Sequence, residues 1–83
     1  MAPLIPPRVF KQLAAMPKAD ARRLLDRLEK IADAPEKPHP NVVPLVGEPG
    51  VSWVRQGKWR AVFSIGEGDV IVDRVAHRRE VCR

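Results

Sequence analysis

The apolar residues of this 83-residue chain change their period near its middle, and that change constrains the fold more than any motif. Over residues 7–33 they recur every three to four positions, as on one face of a helix. From Val51 onward they recur every second position, as on one face of a strand. Helices that precede strands, rather than alternating with them, indicate an α+β fold: two N-terminal helices packed on a twisted antiparallel sheet of three to four strands. The length gives room for a single domain over residues 1–83 with one modest core.

Local signals place the elements. Residues 1–6 hold a short strand at most, because Pro3 and Pro6 lack amide donors. Pro7 suits the first turn of a helix running to about Met16, with Val9, Phe10, Leu13 and Ala14 at helical spacing. Pro17 permits a second start, and the helix over 18–33 carries a stripe of Ala21, Leu24, Leu25, Leu28, Ile31 and Ala32. Arg22, Asp26 and Lys30 step along its other face as opposite charges four residues apart, each pair adding about 0.2–0.5 kcal/mol. Prolines at 35, 38 and 40 make 35–41 a stiff connection in which His39 reads as a turn residue. A short strand near Val42–Val46, interrupted by Pro44, precedes three strands at Val51–Gln56, Trp59–Ile65 and Val70–Ala76.

The turn lengths predict which side chains meet. Gly57-Lys58 fits a two-residue hairpin turn, which sets Gln56 opposite Trp59 and Arg55 opposite Arg60. Trp53, Arg55, Arg60 and Val62 then share one face, while Val54, Ala61, Phe63 and Ile65 lie on the face the helices cover. A four-residue turn at 66–69 pairs Ile65 with Val70, and strict alternation adds Asp73, Val75 and His77 to the arginine face. Like charges directly opposite disfavour pairing, so Arg55 facing Arg60 suggests an anion between them, against the plainer alternative of two side chains splayed into water. Arginine suits phosphate because its planar fork donates parallel hydrogen bonds and stays charged. Trp53 beside them offers either a stacking surface for a base or an anchor for a protein partner.

Charge agrees with an acidic partner: Lys plus Arg number 15 against 10 Asp plus Glu, a net +5. The single cysteine, Cys82, has no partner for an internal disulfide and suits a reducing compartment. No apolar run approaches the roughly 18–20 residues that cross a bilayer, and the proline-rich start is no signal peptide, so a cytoplasmic location with no membrane role is expected. Two histidines and one cysteine, widely separated, make no metal site, and no glycine-rich phosphate loop or dinucleotide fingerprint calls for a small-molecule cofactor.

The order of short motifs resembles a known family. Phe10-Lys-Gln-Leu13, Pro17 opening a Leu-rich helix, His39-Pro-Asn41, Leu45-Val-Gly47, Arg55-Gln-Gly57-Lys58-Trp59-Arg60 and Val75-Ala-His77-Arg78-Arg79-Glu80-Val81 are similar to the RelE/ParE superfamily of bacterial toxins from type II toxin–antitoxin pairs. The resemblance spans about Arg8 to Arg83. It implies a partner in a cognate acidic antitoxin and one of two targets. RelE-like members are metal-independent endonucleases that cut mRNA, commonly on the ribosome, whereas ParE-like members inhibit DNA gyrase.

The resemblance also implies site residues. Arg60 matches the arginine of the family's Gly-x-Tyr-Arg segment, Arg55 the basic residue before that hairpin, and His77 and Arg78 the start of its His-Arg-x-x-Val-Tyr ending. On the RelE-like reading, Arg60, Arg78, His77 and Cys82 are the catalytic candidates. Arg55, Trp53, Lys58 and Arg79 are the RNA-binding ones. The sequence departs from the family at Trp53, where many members carry a second basic residue, and at Cys82, which replaces a tyrosine. Those departures favour the ParE-like alternative, and the clustered arginines and His77 favour RNA; a third reading is a decayed toxin that acts only through its antitoxin.

Overall fold

The computed structural model describes residues 3–66 and 69–77 and gives the expected order of two helices followed by a sheet. Helix α1 (Pro7–Ala14) starts with Pro7 in its first turn and buries Val9 and Leu13, one turn apart. It stops two residues earlier than the spacing predicts. The residue before a proline is pushed out of the helical region, and Met16 precedes Pro17, so the chain turns there and tucks Met16 into the core. Helix α2 (Lys18–Asp33) has the expected bounds and buries Leu24, Leu28, Ile31 and Ala32. Neither helix is long and apolar enough to cross a membrane.

The connection after α2 is closed by His39, whose Nε2–H donates to the Ala34 carbonyl at 2.7 Å. Strand β1 (Val42–Pro44) is shorter than expected. It ends at its proline, and Leu45 instead donates its N–H to Val51 across a turn. Gly50 closes that turn with φ +79°, and a Cβ there would stand 3.3 Å from the Ile65 carbonyl, so both conformation and space call for glycine. Strands β2 (Val51–Gln56), β3 (Trp59–Gly66) and β4 (Asp69–His77) complete an antiparallel meander in the order β1-β2-β3-β4. The residues between β3 and β4, 67–68, lie outside those described; Ile65 pairs with Val70 as expected, and the ladder runs one pair further than expected, to Gly66 with Asp69.

The two helices cover one face of the sheet. Phe63, Leu24, Leu28, Val9, Val54 and Val72 are fully buried between the layers, and among the described residues no polar or charged side chain is buried with them. Filling that layer with apolar volume stabilises the fold strongly: emptying a site such as Phe63 to alanine costs about 3–5 kcal/mol.

The outer edge of β4 is satisfied by an unusual set of partners. Leu4 forms a single parallel bridge to Ile71, donating to the Val70 carbonyl at 2.8 Å and accepting from Val72 N–H at 2.9 Å. Proline on both sides stops this segment from becoming a longer strand. Further along, α1 supplies side chains in its place. Gln12 Oε1 accepts from Val75 N–H at 2.7 Å, and Arg8 Nη2 donates to the Asp73 carbonyl at 3.3 Å. An edge of this kind would otherwise template another strand.

Candidate functional site

The two-residue turn at Gly57-Lys58 forms as expected, with Gly57 at φ +61°. It therefore sets the register Gln56 to Trp59, Arg55 to Arg60, Val54 to Ala61 and Trp53 to Val62. Val54 and Ala61 are buried under the helices, which leaves Arg55, Arg60, Trp53 and Val62 on the open face. Lys58 is exposed at the hairpin tip.

The expected face of β4 requires a correction. A bulge lies opposite Val62 and Phe63: Phe63 pairs with Val72 but Val62 pairs with Arg74, so Asp73 is an extra residue. Beyond it, every side chain changes sides relative to strict alternation. Val75 is 3% exposed in the helix-side core rather than on the arginine face. His77 pairs with Trp59, and its ring meets the indole edge-on, with centroids 5.3 Å apart and planes at 83°. Trp59 packs against the helix-side core, so His77 is on the far side of the sheet from Arg55 and Arg60. Arg74 and Ala76 take the open-face positions instead.

Arg74 is therefore a site residue that alternation alone misses. Its signal was present in the apolar spacing: Val70 to Val72 is two positions, but Val72 to Val75 is three, with Asp73-Arg74 side by side between them. Arg78, Arg79 and Cys82, the remaining candidates, lie outside the described residues.

On the open face, register rows define the site. One row holds Arg55, Arg60 and Ala76; the next holds Val43, Trp53, Val62 and Arg74. Arg60 bends diagonally over Trp53, with its guanidinium carbon 4.3 Å from the ring centroid. That cation–π contact, worth about 0.5–2 kcal/mol, turns Arg60 aside from Arg55 and relieves the like-charge pairing. Arg60 Nε is buried without a hydrogen-bond partner, so stacking rather than hydrogen bonding holds this side chain. Arg55 and Arg74 are exposed on either side of it. The face thus presents three guanidinium groups around a half-buried apolar patch, a surface that accepts a phosphate-bearing or acidic partner. Among the described residues, no group of three His, Cys, Asp or Glu side chains is arranged to hold a metal ion.

This architecture has known counterparts. Residues 5–82 match the family described as the ParE toxin of the type II toxin–antitoxin system parDE. The chain belongs to that family, within the RelE/ParE superfamily of type II toxins. Nothing among curated proteins matches its sequence. Among solved structures, it is similar to the RelB–RelE antitoxin–toxin complex of Methanococcus jannaschii, with TM-score 0.80 and 18% identity, covering 95% of this chain and 94% of that one. It is also similar to the isolated RelE toxin of E. coli, with TM-score 0.76 and 18% identity over 92% of this chain and 82% of that one. The RelBE2 toxin–antitoxin complex of Mycobacterium tuberculosis matches with TM-score 0.73 and 20% identity over 93% and 96% of the two chains. At these identities the likeness is one of fold.

Proposed function

We propose that this toxin is a RelE-like, metal-independent endonuclease that cuts mRNA at the ribosome and is held inactive by an acidic antitoxin. The observation that supports this most is Arg55 directly opposite Arg60, with Arg74 diagonal to Arg60 in the row of Trp53. Charges so grouped favour a phosphate backbone. In the reaction, the RNA 2′-oxygen attacks the adjacent phosphorus and the bond to the 5′-oxygen breaks, leaving a 2′,3′-cyclic phosphate and a 5′-hydroxyl. One proton leaves the 2′-hydroxyl and one reaches the 5′-oxygen. Arg60, joined by Arg78, stabilises the charged phosphorane, and preorganised charge of this kind is usually the largest catalytic term. Arg55, Arg74 and Lys58 bind flanking phosphates, and Arg79 adds to the positive charge. With His77 packed edge-on against Trp59 on the helix side, Cys82 becomes the proton-transfer candidate on this reading.

A ParE-like inhibitor of gyrase is the second reading. Two observations favour it: the matching family is that of the ParE toxin, and the described part of the open face carries charge and apolar area without a histidine. The experiment is induction in cells followed by pulse-labelling of protein and DNA synthesis, with primer extension on an abundant message. On the RNA reading, protein synthesis stops first and new 5′ ends appear in wild type but not in Arg60→Ala. Arrest of DNA synthesis first, with intact messages, assigns the gyrase reading. No arrest at all leaves a toxin that acts only through its antitoxin.

A further inference from the structure

On the side of the sheet away from the arginine face, a cleft of about 460 Å³ opens between α2, the connection after it and the end of β2. Its polar lining is Arg23, Asp26, Arg27 and Lys30 from α2, His39 from the connection and Gln56 from β2. We propose that this cleft is a second anion site, separate from the open face and independent of what that face binds, which takes the phosphate of a nucleotide or of an RNA strand end.

The phase of α2 sets which side chains reach the cleft. Leu24, Leu28 and Ile31 point into the core, and Arg23, Arg27 and Lys30 stand one residue behind each of them. Four- and three-residue steps keep those three cations on one flank, spread over about 10 Å of helix axis. The flank looks onto the β2 end of the sheet, where Val54 and Ile31 give the cleft an apolar wall. Three positive charges therefore line a partly apolar recess against a single carboxylate, Asp26. An apolar wall strengthens their field on a bound anion.

Two of the lining groups are already held in place. Arg27 Nε donates to Gln56 Oε1 in a part-buried hydrogen bond, and His39 is fixed by its bond to the Ala34 carbonyl. Side chains ordered before the ligand arrives lose less entropy on binding. The cleft falls within the range of about 300–1,000 Å³ typical of small-ligand sites, so its size favours a compact phosphate ligand over an extended acidic peptide. Asp26 is an acceptor among the cations. It favours a ligand that carries hydroxyl donors beside its phosphate, as a ribose does, over bare phosphate.

The test is NMR titration of the purified toxin, following the Gln56 side-chain amide and the His39 ring. The probes are adenosine and guanosine 5′-monophosphate, a 5′-phosphorylated trinucleotide RNA and inorganic phosphate. Saturable shifts of Gln56 and His39 are expected. Nucleotide binding without RNA marks a free-ligand site, and binding of the phosphorylated trinucleotide alone marks a strand-end site. Arg23→Gln/Lys30→Gln leaves the Arg27–Gln56 bond intact and should weaken binding at least about tenfold, because it removes two of the three cations that line the cleft. Arg60→Ala should leave this binding within about twofold of wild type while lowering any RNA cleavage at the open face by about 10²–10³. Shifts confined to Arg55 and Arg60, no saturation by any phosphate probe, or equal affinity in the double variant would each overturn the second site.

Discussion

Arg60 does two jobs at the residue scale, and they pull in different directions. Its stack on Trp53 holds the guanidinium in place, yet leaves Nε buried without a partner. The stack also occupies one face of the indole, so a base approaching this site meets the guanidinium plane rather than free tryptophan. On the RNA reading, Arg60→Ala should lower the cleavage rate by about 10²–10³. It should change the melting temperature little, because it removes no core volume and one unsatisfied donor. Arg60→Lys tests whether charge is enough: lysine keeps the charge but not the planar fork, and recovery should be partial. Trp53→Ala removes the surface that positions Arg60 and should weaken RNA binding by about 1–3 kcal/mol, measured by fluorescence anisotropy of a labelled oligonucleotide. If Trp53→Ala binds RNA as wild type does, the stack is a structural convenience only.

At the scale of elements, the β4 bulge and the cap that α1 places on its edge decide what faces where. Gln12 Oε1 satisfies Val75 N–H, and removing it leaves a buried donor unpaired. Gln12→Ala should therefore cost about 1–3 kcal/mol in urea unfolding, more than a typical change on the solvent side of a helix. The bulge makes a different kind of prediction. Deleting Asp73 leaves Val72, Arg74, Val75 and Ala76 in plain alternation, with Val75 still inward, so the fold should survive at less than the roughly 3–5 kcal/mol of Phe63→Ala. Deleting Val62 from the middle of β3 should unfold the protein, because Ala61 and Phe63, both fully buried, become neighbours and cannot both face the helices. Both outcomes can be read from circular dichroism and a denaturation curve. The same two elements mark where the sequence was readable. The hairpin register that brings Arg55 to Arg60 follows from a two-residue turn, and the helix stripe follows from its period; both are local rules. The bulge, which moved His77 off the arginine face and brought Arg74 onto it, depends on how β4 meets β3. It showed in the sequence only as a lengthened step from Val72 to Val75. The Leu4 bridge and its Gln12 continuation are contacts between distant segments, and no local pattern announces them.

For the molecule as a whole, the question is how its net +5 is distributed, because that governs both its target and its control. Arg55, Arg60 and Arg74 lie on one side of the sheet and Arg23, Arg27 and Lys30 on the other. A single acidic chain that silences the toxin would have to neutralise the first group to block RNA, whatever it does at the second. Counterion release gives a quantitative test. Each phosphate contact on a single strand contributes about −0.7 to the slope of log affinity against log salt, so three arginine contacts give a slope near −2. Removing Arg74 should reduce the magnitude of that slope by about 0.7 and weaken binding to all sequences alike, because a phosphate contact carries no base information. The measurement is a salt series of RNA affinity for wild type, Arg74→Ala and Arg55→Ala. Equal slopes in all three would mean that RNA does not lie on the open face. A wild-type slope near zero, together with salt-sensitive binding to gyrase, would transfer the same arginines to an acidic protein surface and make the toxin an inhibitor rather than a nuclease.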